Sequence, residues 1–212
     1  MPHFAVKMKY SIGDIVEVLS ERLCQNNWQA ALIAFSGGKM NRDFLELIKT
    51  RRSTRSFKPD PVPENLLDAV LEAGTYAPTG MNRQSPVIIA VSDKKYREKL
   101  SKLNASVMGV DSDPYYGAPT VVLVLADPKA STFVEDGSCV LENMMLASHA
   151  CGLGSVWIHR EREIFDSEDG KALLREWGLP EALRGVGSIA LGYPAADPAP
   201  RSPRKDGYIV KI

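Results

Sequence analysis

The run "TVVLVLA", residues 120–126, constrains this chain more than any other stretch. It is uncharged and rich in β-branched residues, which favour extended backbone. Side chains on a strand alternate between two faces. Both alternating sets are apolar here, so both faces need cover, and the run reads as a central strand between two layers. Three other runs have strand character: 87–91 ("VIIAV"), 155–158 ("SVWI") and 186–194 ("VGSIALGYP"). The final "GYIVKI" has it as well.

Helical spacing supplies the layers. Phe44, Leu45, Leu47 and Ile48 form the core face of a helix opening at Met40. Leu66, Leu67, Val70 and Leu71 repeat behind Pro63, with Gly74 placed to end that helix. Residues 96–103 and 170–177 read as helices, the latter stopped by Gly178 and Pro180. The segment 135–151 is apolar round much of its circumference, through Val140, Leu141, Met144, Met145, Leu146 and Ala150, before Gly152 caps it. Such a helix needs burial on more than one side, as a central core helix or a subunit interface. The pattern is a mixed α and β domain with helices between most strands.

Charge excludes one class of function. Lysine and arginine number 26, aspartate and glutamate 26, so the formal net charge is zero. A broad basic field for nucleic acid is therefore absent, and any basic site is local. Three cysteines (Cys24, Cys139 and Cys151) without a CxxC pair suit reduced thiols and a cytoplasmic setting. No run of about 18 apolar residues marks a membrane span. The start of the chain lacks the basic-then-apolar order of a signal peptide.

The motifs narrow the chemistry by elimination. Gly152/Gly154 and Gly185/Gly187 precede strands and lack a third glycine, so they are not a dinucleotide fingerprint. No Walker loop, HExxH or G-x-S-x-G elbow occurs, and His3, His149 and His159 are too scattered for a metal cluster. His149, on the apolar helix, reads as a satisfied core or interface residue. An enzyme of this kind would draw its chemistry from a cofactor. Two compact clusters could hold a phosphorylated one: Arg51-Arg52-Ser53-Thr54-Arg55, and Arg201-Ser202-Pro203-Arg204-Lys205. Guanidinium groups bind phosphate bidentately, and each charge-assisted hydrogen bond contributes about 1.5–3 kcal/mol. Each cluster alone is equally readable as solvated surface.

The order of the motifs carries a resemblance. "FLELIKTRRSTRSF", "APTGMNRQSP", "ENMMLASHACGLGSVWIH" and "LGYP" followed by "PRK" resemble, in that order, segments of the short FMN-dependent nitroreductases, over nearly all of residues 40–212. The resemblance implies an α+β fold, an α/β/α sandwich whose mixed central sheet is flanked by helices. It also implies a homodimer with FMN at the interface, helix 135–151 as the dimer core, and a C-terminal strand exchanged between subunits.

Carried over by residue, the resemblance places Arg51, Arg52 and Ser53 at the phosphate and ribityl chain. Arg55 falls at the N1/O2 edge of the flavin, where a fixed cation favours hydride arrival. Pro78, Thr79, Gly80 and Asn82 approach from the other subunit. Trp157, Ile158 and His159 line the ring, with a backbone N–H near N5, and Arg204 and Lys205 close on the phosphate. No side chain is obligatory for catalysis and no metal is implied.

After Trp-Ile the family often has Gly or Glu-Gly, whereas this chain has His159-Arg160. His159 is a hydrogen-bonding spacer, a residue packed at the pocket wall, or a proton donor to a bound substrate. The 113–118 loop, which often covers the flavin, is short. The activity implied is ping-pong hydride transfer from NADH or NADPH through FMN to a nitroaromatic, quinone or enone. The alternatives are a non-catalytic FMN-binding or flavin-storage protein, a specialised relative that fragments flavin or reductively dehalogenates, and a plain phosphate-binding module.

Residues 1–39 read differently from the rest, and "SGGKM" is what a purine-rich ribosome-binding site would encode in frame before a start codon. The expected division is an extension, 1–39, and a domain, 40–212, with Met40 the natural start. The competing reading is a genuine N-terminal helix on Ile15, Val16, Val18, Leu19 and Leu23. Mass spectrometry of the protein expressed from its own gene should find a mature chain beginning at Met40; one beginning at Met1 refutes this.

Overall fold

The computed structural model describes residues 42–212. The readings made for 1–39 and for Met40 lie outside the described residues.

The expected central strand, β2 (Thr120–Ala126), is buried at all seven positions. It lies between β1 (Pro86–Val91) and β4 (Arg184–Gly192), and β3 (Gly154–Ile158) completes the order β1-β2-β4-β3. All three strand pairs are antiparallel. A parallel bridge, Ser53↔Ser155, adds a parallel pairing on the outer edge of β3.

The alternation of β2 divides the core in two. Val121, Leu123 and Leu125 face Leu100 of α3 (Lys94–Met108), Ile164 and Phe165 of α5 (Glu161–Asp166), and Leu173 and Leu174 of α6 (Glu168–Glu176). Val122, Val124 and Ala126 face Val70 of α2 (Glu64–Thr75), and Val140, Leu141 and Met144 of α4 (Phe133–Ala150). Each fully buried aliphatic side chain contributes about 1.5–3 kcal/mol, so neither layer can be removed without exposing half of β2. This is the α/β/α sandwich. α1 (Arg42–Thr50) precedes these layers.

Several local details differ from the sequence pattern or add to it. Gly74 does not end α2; the helix continues to Thr75 and is capped at Tyr76. Gly74 is buried, and a Cβ there would come within 2.9 Å of Ile88 and Met144, so the glycine permits close approach instead. The short α5 has no sequence forerunner because six residues give too little periodicity. Phe44 and Ile48, expected in a core, are 52% and 43% exposed. The final "YIVKI" forms no strand within the chain and is exposed throughout.

α4 lies tight against β4. A Cβ on Gly137 would meet Val186 at 2.7–2.9 Å, where the β2–β4 register shifts between Val124 and Leu125. Gly137→Val should therefore cost roughly 1–3 kcal/mol by overpacking. Chemical denaturation should show a lowered midpoint; an unchanged one contradicts this packing.

Candidate functional site

The basic stretch is held as a strap on the edge of β3. It leaves the end of α1, where the Arg51 N–H donates to Leu47 O at 3.2 Å. The Thr54 N–H donates to Ser155 O (3.0 Å), and Lys58 and Ser56 then exchange bonds with Tyr193 and Ala195 (2.8 and 2.9 Å). Gly154 has no room for a side chain, because a Cβ would fall 2.5 Å from Thr54 Oγ1. Beneath the strap, Ser155 Oγ and Ser148 Oγ share a hydrogen bond of 2.7 Å.

The strap gathers cations. Arg52 Nη1 and Arg201 Nη1 both donate to Lys49 O, at 2.8 and 3.4 Å, so two guanidinium groups share one neutral oxygen. Arg51 Nη1 is buried without a hydrogen-bond partner, which costs about 1–3 kcal/mol or more until a partner arrives. His149 Nε2 stands 3.0 Å from Thr50 Oγ1. Burial, and then the charges of Arg51 and Arg52, push its imidazole below the usual histidine value. His149 is thus satisfied, as expected. Ser53 and Arg55 are exposed. The two basic clusters do meet, but through Arg201. Arg204 bonds Ser202 O of its own loop (3.0 Å), and Lys205 lies 5.4 Å from the Tyr208 ring centroid.

The second group of expected residues forms a tight loop elsewhere. The Gly80 N–H donates to Asp136 Oδ1 (2.9 Å), and Thr132 Oγ1 donates to Asp136 Oδ2 (3.2 Å). The Asn82 N–H reaches Thr79 O (2.9 Å), the Gln84 N–H reaches Thr79 Oγ1 (3.1 Å), and Gln84 Nε2 reaches Asn82 Oδ1 (3.2 Å). Met81, Asn82 and Gln84 have φ of 53°, 53° and 50°. Left-handed backbone at three non-glycine residues costs about 1–2 kcal/mol each, and such strain collects at functional sites. Pro78 is exposed beside it. The anchor, buried Asp136, was not singled out in the sequence; an acid in the first turn of a helix was its only trace.

α4 separates the two groups. Asp136 holds the loop and His149 faces the strap, 13 residues apart (149 − 136). At 1.5 Å per residue that is about 20 Å. Within one chain the structure brings together Arg51, Arg52, Ser53 and Arg201, and separately Pro78, Thr79, Gly80 and Asn82.

The third group ends β3. Trp157 is half-buried against Gly187, where a Cβ would lie 2.8 Å from its indole nitrogen. The Ile158 side chain is buried in the α3/α5/α6 core, so it lines no open face and only its backbone can. His159 is exposed. In antiparallel pairing alternate residues turn their peptide groups outward. Ser155 does so toward Thr54, and Trp157 shares its parity.

Sequence reasoning missed the group just beyond. Glu161 is completely buried. Its Oε1 accepts from Ser188 Oγ (2.6 Å), Tyr115 OH (3.2 Å) and Asn104 Nδ2 (3.4 Å), while its Oε2 has no partner. Burial raises its carboxyl to about 8, against the pull of the Ser188 and Tyr115 hydrogen bonds. Among the described residues, no helix is long and apolar enough to cross a membrane.

Comparison with known proteins adds a lineage. The family model for the nitroreductase family matches residues 48–193. An FMN reductase [NAD(P)H] of Bacillus subtilis is 27% identical over 184 residues, covering 76% of this chain and 70% of that protein. A Bacteroides fragilis nitroreductase crystallised with bound FMN superposes with a TM-score of 0.75 at 32% identity, over 81% of this chain and all of that one. A Desulfitobacterium hafniense nitroreductase with bound FMN gives 0.73 at 26% identity, over 82% of this chain and all of that one.

The raised Glu161 carboxyl fixes a pH dependence. The folded chain keeps this proton up to about pH 8, whereas an unfolded glutamate releases it near 4.5. Stability is thus greatest below the lower value and falls as pH rises between the two, by up to about 1.4 kcal/mol per pH unit. Thermal melting across that range should show the decline in the wild type and a much flatter curve in Glu161→Gln. Parallel curves would show that Glu161 is not the group involved.

Proposed function

The chain belongs to the nitroreductase family, and on that premise we propose that it is an FMN-dependent oxidoreductase acting as a cytoplasmic homodimer. NADH or NADPH is the reductant, and a nitroaromatic, quinone or enone is the acceptor. The observation that carries the proposal is the cationic corner: a buried Arg51 nitrogen without a partner, beside two guanidinium groups sharing one carbonyl oxygen. A phosphate dianion supplies the missing acceptors and relieves the repulsion. The residues present therefore fit the phosphate of FMN.

When bound, FMN would supply the hydride and electron transfer, in a ping-pong cycle between NAD(P)H and the second substrate. The protein's part is to bind and orient. Arg51, Arg52, Ser53 and Arg201 hold the phosphate end, with Arg204 and Lys205 in the loop that closes over it. Arg55, exposed on the strap, serves the N1/O2 edge, where a fixed positive charge favours hydride arrival. The outward Trp157 peptide offers its N–H to the N5 edge, and His159 borders the acceptor's space.

The rise of about 20 Å along α4 between Asp136, which anchors the loop, and His149, which faces the strap, is the argument for a dimer. One flavin cannot reach both ends of α4 in a single chain. Two copies with antiparallel α4 helices about a two-fold axis bring the strap of one to the loop of the other. Pro78, Thr79, Gly80 and Asn82 then complete the partner's site. The exposed Phe44, Ile48, Ile209 and Val210 suit the same interface, with the C-terminal segment crossing to pair with the other sheet.

Purified protein should show visible flavin absorbance that bleaches when NADH or NADPH is added anaerobically. Colourless protein that refuses added FMN overturns the proposal. Bound flavin that stays oxidised leaves a flavin-storage protein. Arg51→Ala should weaken FMN binding roughly tenfold to a hundredfold, the loss of one charge-assisted bond. Arg55→Ala should slow flavin reduction more than it weakens FMN retention. Unchanged FMN affinity in Arg51→Ala misplaces the phosphate.

A further inference from the structure

The turn after β3 is held in an unfavourable conformation by a buried polar group that the proposed hydride chemistry does not use. Arg160 has φ of 87°, a left-handed value that costs a non-glycine residue about 1–2 kcal/mol. Two bonds from one side chain oppose its relaxation. Asn104 Nδ2 donates to His159 O at 3.1 Å, and Arg160 Nε donates to Asn104 Oδ1 at 2.8 Å. Asn104 is itself fully buried, and its amide also reaches Tyr115 OH (3.3 Å) and Glu161 Oε1 (3.4 Å). Glu161 cannot shift: it opens α5 directly over β4, where a Cβ on Gly185 would lie 2.2 Å from its carbonyl carbon.

We infer that the buried Asn104–Glu161 pair positions the His159–Arg160 turn, and so fixes how that turn meets the flavin edge and the electron acceptor. The inference rests on the flavin reading above. Both residues act through the turn and touch neither flavin nor acceptor, so they are positioning residues. Neutral Glu161 accepts three hydrogen bonds, the longest from the Asn104 amide (3.4 Å), which keeps its shorter bond to the turn at His159 O (3.1 Å). Ionised Glu161 places a negative charge one amide away from the Arg160 guanidinium. That charge draws Arg160 off Asn104 Oδ1 and releases the turn.

The charged or titratable groups facing Glu161 are few. They are Arg160 on the turn and Tyr115 on the 113–118 loop, while α3 and β4 present neutral Asn104 and Ser188. Arg97 lies beyond, 5.9 Å from the Tyr115 ring centroid. Tyr115 is itself held well above the usual tyrosine range, by burial and then by Glu161. Glu161 is therefore the group that changes charge near pH 8.

The test uses the FMN-loaded protein. FMN affinity, the visible spectrum of the bound flavin, and the rates of reduction by NADH and reoxidation by p-benzoquinone are measured for wild type, Asn104→Ala and Glu161→Gln across pH 6–9. Asn104→Ala should leave FMN affinity within a few-fold, since the phosphate grip is remote. It should also shift the bound-flavin absorbance and slow reoxidation roughly tenfold or more through misplacement of the turn. Wild type should show a transition near pH 8 in spectrum and reoxidation rate, and Glu161→Gln should abolish it. Where Asn104→Ala does not fold, the Glu161→Gln pH profile decides alone. Wild-type spectra and rates in a folded Asn104→Ala overturn the inference, as does a pH transition that survives Glu161→Gln. A wild type that takes up no FMN overturns the flavin reading and this inference with it.

Discussion

A strand that is apolar on both faces cannot sit at the surface, and β2 sets the rest of the architecture by that requirement. Its two side-chain sets need helices above and below, which fixes the layer order. On one face the cover is α4, long enough to span the sheet. A buried helix of 18 residues is a rigid body about 27 Å long, so whatever is attached to its ends stays apart. The strap joins near the C-terminal end and the strained loop near the N-terminal end. The geometry of the site is a consequence of how β2 stays dry.

The electrostatics of the three groups follow from the same layering. Where α1 ends against β3, Arg52 and Arg201 share the Lys49 carbonyl oxygen, and Arg52 also donates to Arg51 O. Glu46, bonded to Lys49 and near Arg201, offsets part of this charge, and the crowding that remains is favourable around an anion. At the other end of β3 the imbalance is reversed. Glu161 keeps its proton because burial disfavours its charge, against the pull of the donors at one of its oxygens. One end of the strand is arranged to receive negative charge and the other to avoid carrying it. These two polarised ends flank the open edge where the outward Trp157 peptide lies.

The sequence made much of this legible, and the limits have physical causes. Two-sided apolarity revealed β2, and all-round apolarity revealed α4, because both patterns depend on nearest neighbours along the chain. The strap was legible as a basic cluster, and its order among other motifs gave it meaning. Gly74, Gly137 and Gly154 were not interpretable in advance. Each is small because something distant in sequence approaches it, and only the fold says what. Asp136, Asn104 and Glu161 were missed for the same reason: a buried polar residue on a helix looks like a solvated one until its partners, up to 57 positions away, are known. Arg201 reaches the corner, while Arg204 and Lys205 meet short-range partners, Ser202 and Tyr208.

Strain ties these observations together. The described residues hold five non-glycine positions at positive φ. Three are in the loop over Asp136, one is the turn over Asn104, and the fifth, Tyr116, lies in the loop anchored by Asp113 through bonds to Arg97, Ser101 and the Tyr115 and Gly117 N–H groups. Each strained segment is held by a side chain bonded to backbone, buried for Asp136 and Asn104 and partly buried for Asp113. An unanchored loop would relax by about the cost of the strain, and the anchor converts a mobile connection into a fixed one. A protein that relies on a bound cofactor for its reactive atoms needs peptide groups held at set positions more than it needs acids and bases. The distribution of strain and anchors in this chain suits that demand.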